Sequence, residues 1–191
     1  MELVFASGNA NKVKEVESKM GGAFPLKGLS DIGCTTDIPE TSDTLEGNAR
    51  QKAWYVWDNY KVNCFADDTG LEVEALNMEP GVLSARYAGA QKNSADNMAL
   101  LLERLKGMDV RKARFRTVIC LIIDGVEHLF EGIVEGEILE QPRGNEGFGY
   151  DPLFQPQGYA ITFAEMQMDE KNRISHRGKA IQQLADFLQC F

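Results

Sequence analysis

The sequence is short of cysteine, histidine and positive charge, and it has no long apolar run. Its four cysteines, Cys34, Cys64, Cys120 and Cys190, lie far apart, and no pair has the spacing of a metal site or a redox motif. A chain of 191 residues can bury enough surface to fold without disulfides or structural zinc, and reduced thiols fit a cytosolic setting. The longest apolar stretch, 118–123, is strand-sized, which excludes a spanning helix. No basic segment precedes an apolar one at the start, so Met1-Glu2-Leu3-Val4-Phe5 reads as a buried strand and not as a signal peptide. These absences predict a cytoplasmic protein with no membrane partner. Lysine and arginine number 20 against 29 aspartates and glutamates, a net charge of −9. That balance argues against non-specific binding to DNA or RNA, which takes a basic face. A small anionic substrate would have to be met by local cations, or by a metal that screens the carboxylates. No repeat, low-complexity tract or proline- or serine-rich linker divides the chain, so one domain over 1–191 is expected.

What is there is ordinary for a soluble globular protein, at 43% hydrophobic and 26% charged residues. A strand over 3–6 leads through Ser-Gly-Asn into a helix carrying Val13, Val16 and Met20, which the Gly21-Gly22 pair ends. A second helix is predicted over 45–60, with Thr44 as its cap and Leu45, Ala49, Ala53, Val56 and Tyr60 on its apolar face. Short strands at 62–66 and 71–75 flank Asp67-Asp68-Thr69-Gly70. A third helix covers 94–106. Strands at 115–123 and 126–139 are joined at Asp124-Gly125, the strongest hairpin signal in the chain, with a bulge or bend expected at Gly132 and Gly136. A loop rich in glycine and aromatics spans 144–156, and a helix over 177–188 closes the chain. Mixed strands and helices predict an α/β or α+β fold around a mixed sheet.

Five segments have the composition of a reacting or binding site, and each also has a plainer explanation. In Ser7-Gly8-Asn9-Ala10-Asn11-Lys12 a strand hands over to a helix whose free N–H groups, with Lys12, could face an anion; an ordinary turn capped by Asn9 or Asn11 has the same sequence. Asn48 and Lys52 share a helix face bordering the apolar stripe, where they could hold phosphate oxygens or where the lysine stem could simply cover apolar surface. Neighbours on a strand point to opposite sides, so only one of Asp67 and Asp68 faces a given site. Such a carboxylate suits Mg²⁺ or general-base work on water, with Glu40 as a second acid; an Asp-rich turn is the alternative. Gly147-Phe148-Gly149-Tyr150-Asp151-Pro152 could present Phe148 as a stacking platform with Asp151 as an acceptor, or could turn its aromatics into the core. The most basic stretch, 171–179, places Lys171, His176 and Arg177 around a helix start capped by Ser175, where the dipole disfavours cations; a basic surface turn is the alternative. His128 has no evident chemical partner and is assigned a structural role.

Taken in order, Ser-Gly-Asn-x-x-Lys, Asn-Ala-x-x-Lys-Ala, Ala-Asp-Asp-Thr-Gly-Leu, Pro-Gly-x-x-Ser-Ala-Arg-Tyr-Ala-Gly, Gly-Phe-Gly-Tyr-Asp-Pro-x-Phe and Ile-Ser-His-Arg-Gly-x-Ala resemble the inosine triphosphate pyrophosphatases, over nearly the whole chain. The resemblance implies a homodimer with an elongated mixed β-sheet flanked by helices and a nucleotide cleft between two lobes. It implies Mg²⁺-dependent hydrolysis of ITP, dITP and XTP to the monophosphate and pyrophosphate. It implies that Ser7, Gly8, Asn9, Ala10, Asn11 and Lys12 hold phosphate with help from Lys52. Glu40 and Asp68 would serve the metal, Asp68 would accept the proton, and Thr69 would contact substrate. Phe148, Gly149, Tyr150, Asp151, Lys171, His176 and Arg177 would surround the base and sugar-phosphate. Ser7 and Thr69 stand where the family often has threonine and serine, and both keep the hydroxyl. A pyrophosphatase for another modified nucleotide, or a nucleotide-binding sensor without turnover, are the rival readings of the same residues.

Overall fold

β-Branched and aromatic residues dominate the two longest strand segments, and the sheet is built on them. The computed structural model describes residues 2–20, 22 and 24–190; Met1 and Gly21, placed by the sequence in the first strand and at the first helix stop, lie outside them. The strands are β1 (Leu3–Phe5), β2 (Leu26–Lys27), β3 (Cys64–Val73), β4 (Glu79–Gly81), β5 (Lys112–Ile123), β6 (Val126–Ile138) and β7 (Phe154–Pro156). Among the described residues they form one mixed sheet in the order β2-β1-β3-β5-β6-β7, with β4 paired to the end of β3. The β2-β1-β3 edge is parallel and the remainder antiparallel. The helices are α1 (Ala10–Met20), α2 (Leu45–Tyr60), α3 (Ser94–Arg104), α4 (Met168–Ile174) and α5 (His176–Leu188).

Helix α2 has the predicted span and cap: the Thr44 hydroxyl accepts from the Gly47 amide. Its stripe of Leu45, Ala49, Ala53 and Val56 packs on Cys64, Ala66, Val118, Cys120 and Ile122, covering one face of β3 and β5. Helices α1 and α5 cover the other face, where Val16, Ile181, Leu184 and Leu188 meet Phe5, Phe65, Ile119 and Leu121. A third cluster fills the far end of the sheet, with Leu101 and Leu105 of α3 and its C-terminal turn against Leu71, Val73, Phe115, Phe154 and Phe163. Burial pushes the Cys64 and Cys120 thiols up to about 12, so both are inert apolar fillers. The Asp124-Gly125 turn has positive φ at both residues and sets Ile123 opposite Val126, as a two-residue hairpin requires.

The structure corrects four expectations. The strands at 62–66 and 71–75 are one, because β5 pairs with every residue from Cys64 to Val73 and carries Asp67–Gly70 through the ladder. The ladder overrides the turn preference of Asp and Gly. Gly132 and Gly136 make no bulge: the β5–β6 register runs through both without a break. They are close-contact glycines instead, since a β-carbon at Gly132 would overlap the His176 carbonyl, and one at Gly136 the Gln155 carbonyl. The aromatic loop ends in β7, which adds to the sheet edge. Helix α4, read from sequence only as a basic stretch, holds Lys171 and Asn172 buried against α1.

The middle of β3 is where this architecture places polar chemistry. Phe65 and Ala66 belong to the lower clusters and Leu71 to the far one. Asp67, Asp68 and Thr69 lie between them.

Candidate functional site

Alternation along β3 sends Asp67 and Asp68 to opposite faces, as the sequence predicts. Asp67 faces α1 and α5. Its carboxylate accepts from Lys12 Nζ at 3.0 Å, from Arg177 Nε at 3.1 Å and from the Thr69 hydroxyl at 3.3 Å. Burial disfavours its charge, yet Lys12, Arg177 and Lys52 outweigh that and hold its pKa well below the usual carboxylate range. Asp68 faces α2. It accepts from Asn48 Nδ2 at 3.1 Å and from the Thr69 amide at 3.0 Å, and Lys52 Nζ stands 3.9 Å away. Burial, with the nearby charge of Glu40, pushes the Asp68 pKa up despite the two lysines and Asn48. The two adjacent carboxylates therefore differ: their surroundings lower the pKa of Asp67 and raise that of Asp68.

Two ammonium groups from different helices converge on one atom. Lys12 from α1 and Lys52 from α2 donate to the Asp67 carbonyl oxygen, at 3.4 and 2.8 Å. Burial and the neighbouring cations Lys52 and Arg177 lower the Lys12 pKa. Burial opposes the Lys52 charge, but Asp68, Asp67 and Glu40 outweigh it and raise its pKa. Lys52 also donates to Glu40, which remains half-buried at the mouth of the site. Asn9 is the cap that the plainer reading of 7–12 foresaw: its side chain accepts from the Asn11 and Lys12 amides at 3.0 and 3.3 Å, and its own amide donates to the Ser7 hydroxyl. Gly8, Asn9, Ala10 and Asn11 remain exposed, and nothing lies within 4 Å of a β-carbon built at Gly8.

The basic stretch is no surface turn. Lys171, His176 and Arg177 are all buried. Arg177 spans the network, donating to Asp67, to Glu15 of α1 and, at 3.0 Å, to the Thr69 hydroxyl. Lys171 donates to Glu15 and Asp151, both at 2.6 Å. Asp151 is thus an internal partner, which also accepts from the Phe148 amide. Phe148 is half-buried, with Lys171 at 5.1 Å and Arg177 at 5.7 Å from its ring. Gly149 is half-buried beside it, whereas Tyr150 is buried in the far cluster and donates to the Ser84 carbonyl at 2.7 Å. The His176 ring stacks on Phe115 at 4.6 Å, and its Nδ1 is buried without a hydrogen-bond partner among the described residues. Burial, then Arg177 and Lys171, drive its pKa well below the ordinary value, so the ring is neutral. A neutral imidazole removes one cation from the start of α5, and the other, Arg177, is offset there by its ion pairs with Asp67 and Glu15.

Sequence reasoning missed Glu15, the carboxylate that ties Lys171 to Arg177. Its signal was the Lys12–Glu15 spacing, which puts both on one side of α1. It also left Arg86 unused, although the motif carrying it was noted. Arg86 lies beside Glu40, 3.9 Å from its carboxylate, on a loop anchored by Ser84, whose hydroxyl accepts from the Leu71 amide and donates to the Gly81 carbonyl.

Among the described residues no three histidines, cysteines or acids gather as a metal cage. The oxygen-only pair of Glu40 and Asp68, both turned toward the Lys52 ammonium, fits a different kind of metal. Mg²⁺ takes one or two carboxylates and completes its shell with water and substrate phosphates.

Comparison with known proteins gives a consistent result. Residues 3–187 match the Ham1 family. A dITP/XTP pyrophosphatase of Flavobacterium psychrophilum is 56% identical over 189 residues, covering 99% of this chain and 100% of that protein. A HAM1 protein from Coxiella burnetii superposes with a TM-score of 0.91 at 37% identity, covering 100% of both chains. The Staphylococcus aureus Ham1 protein does so with a TM-score of 0.90 at 38% identity, covering 99% of this chain and 98% of that one.

Proposed function

The chain belongs to the Ham1 family, and from that premise we propose that it hydrolyses non-canonical purine nucleoside triphosphates, dITP, XTP and ITP, to the monophosphate and pyrophosphate. The single observation that supports this most strongly is the convergence of Lys12 and Lys52 on the Asp67 carbonyl, beside a carboxylate, Asp68, of raised pKa. Two ammonium groups and a proton acceptor within one strand turn are what a polyanion attacked by water requires.

In this reading the triphosphate lies across the 7–11 segment, exposed from Gly8 to Asn11, with Lys12 and Lys52 on its oxygens. Asp68 takes a proton from a water as that water attacks the α-phosphorus. The bond from the α-phosphorus to the bridging oxygen breaks, and pyrophosphate leaves with the bonding electrons. Lys12, Lys52 and the start of α1 meet the charge that grows on it. Glu40 and Asp68 are the residues that would hold Mg²⁺, which when bound supplies charge neutralisation on the phosphates. Thr69 is fixed between Arg177 and Thr117 and faces the substrate. Phe148 lends an aromatic face to the base. Asp151 and Tyr150 act one step back, through Lys171 and through the loop at Ser84. The 6-keto group of hypoxanthine or xanthine accepts from His176 and neighbouring amides, donors that the 6-amino group of adenine would leave unpaired. The same family reading carries a homodimer that acts on free nucleotides of the cytoplasm, not on nucleic acid or membranes.

The test is product release from ITP, ATP and GTP with and without Mg²⁺, pyrophosphate and orthophosphate being measured separately. Pyrophosphate as first product, ITP preferred over ATP, and loss of turnover in chelator are expected. Orthophosphate appearing first, or full activity in chelator, would overturn the assignment. Sedimentation at the mass of one 21.2 kDa chain would remove the dimer.

A further inference from the structure

The base-reading segment rests on a trough in the sheet. In register across β3, β5 and β6, Thr69 lies opposite Thr117, and Thr117 opposite Gly132. The rows on either side carry large residues: Asp67, Ile119 and Phe130 on one, Leu71, Phe115 and Val134 on the other. The first turn of α5 descends into the gap. A β-carbon at Gly132 would overlap the His176 carbonyl oxygen and lie 2.7 Å from the Ala180 amide nitrogen. Those two groups stand four residues apart, the spacing of an α-helical hydrogen bond, one residue beyond the opening bond from the Lys179 amide to the Ser175 carbonyl. Any side chain at Gly132 must therefore lift that turn off the sheet.

The next position in the row holds the same turn from the side. Thr117, fully buried, shares a 2.7 Å hydrogen bond with Thr69, and Thr69 receives Arg177. His176, at the centre, is 3% exposed, clamped on Phe115, and keeps a buried Nδ1 with no partner among the described residues. An unpaired buried nitrogen is costly unless a ligand pairs with it.

We infer that Gly132 and Thr117 are specificity-positioning residues: together they set the height and tilt of the His176–Arg177 turn above the sheet, and so where its donors meet the purine 6-position. This rests on the reaction proposed above and goes beyond it, because neither residue touches substrate. Their effect falls first on discrimination between bases. Lys12 and Lys52 meet at the Asp67 carbonyl and Asp68 is held by Asn48, whereas the α5 turn reaches this segment through the Arg177 bonds to the Asp67 carboxylate and the Thr69 hydroxyl.

The experiment compares Gly132→Ala, Thr117→Val and Gly136→Ala with the unaltered protein, in steady-state turnover of ITP and ATP and in thermal melting. Gly136 is the control, a second close-packed glycine on the same strand, whose β-carbon would meet the Gln155 carbonyl and the Phe154 ring of β7 and not the backbone of α5. Gly132→Ala should lower the ITP-to-ATP ratio of kcat/KM by about tenfold or more, an ångström-scale misplacement of the reading groups being enough. Thr117→Val, which keeps shape and loses only the hydroxyl, should move the ratio the same way by less. Gly136→Ala should lower the melting temperature and leave the ratio alone. An unchanged ratio in Gly132→Ala overturns the inference; should that variant not fold, an unchanged ratio in Thr117→Val does so. An equal fall in Gly136→Ala also overturns it, because loosening anywhere would then suffice. Unaltered protein that releases no pyrophosphate from ITP defeats the reaction itself and this inference with it, whereas normal ITP turnover with unmoved variants defeats this inference alone.

Discussion

The two faces of β3 carry the same side chain, at Asp67 and Asp68, with pKa values shifted in opposite directions. On the α1/α5 face, Asp67 belongs to a closed network in which Lys12, Arg177, Glu15, Lys171 and Asp151 satisfy one another in the protein interior. On the α2 face, Asp68 has an amide partner and one lysine at 3.9 Å, with Glu40 opposing its charge. On the proposed reaction, the difference divides labour between two adjacent identical residues, one holding and one reacting. The cause is the count of cations on each side, since both carboxylates are buried and both pay the same kind of desolvation.

That contrast can be broken experimentally. The largest effect is expected from Asp68→Asn, which keeps volume and loses the proton acceptor: kcat should fall about 10²–10⁴-fold, while nucleotide still binds and the melting temperature changes little. Pyrophosphate release and a binding titration check this, and unchanged turnover removes Asp68 from the role. Asp67→Asn should do the reverse in stability, leaving Lys12 and Arg177 buried against a neutral group at a cost of about 3–5 kcal/mol. A denaturant melt showing no loss would mean that the network does not hold the fold.

A smaller effect separates the faces by pH. His176 is neutral when folded and free to charge when unfolded, so below its ordinary pKa the unfolded chain binds one more proton. Stability should therefore rise with pH up to about 6.5 and decline below it, by at most about 1.4 kcal/mol per pH unit from this group. Arg177 and Lys171 reinforce the depression and Asp67 opposes it. Denaturant melts of His176→Gln should lose that component; an identical slope in both proteins would contradict it. A change of similar size is expected from Asn48→Ala, which removes the side-chain partner of Asp68 and the acceptor of the Ser42 amide, for about 1–3 kcal/mol in melting. A loss as large as that of Asp67→Asn would erase the distinction between the faces.

Much of the architecture could be read along the chain. Helix α2 was legible to its ends, because an apolar stripe and a threonine cap are both local signals. The Asp124-Gly125 hairpin was legible for the same reason. Asp67–Gly70 was read as a break because turn chemistry is also local, while the β5 partner that overrides it lies about fifty residues away along the chain. Gly132 looked like a bulge because a strand glycine has several physical uses, and only the approach of α5 selects among them. Of the candidate site, Lys12, Lys52, Asp68 and the His176–Arg177 pair were found as residues, and their pairings were not.

By itself, then, the sequence determined the periodicities, caps and turns, and it posed the problem of an acidic chain that must meet an anion. Tertiary structure alone decided which carboxylate is locked and which is raised, because Lys12 and Arg177 reach Asp67 from 55 and 110 residues away along the chain. Charge state in a buried site depends on distance and dielectric through space, and sequence separation carries neither.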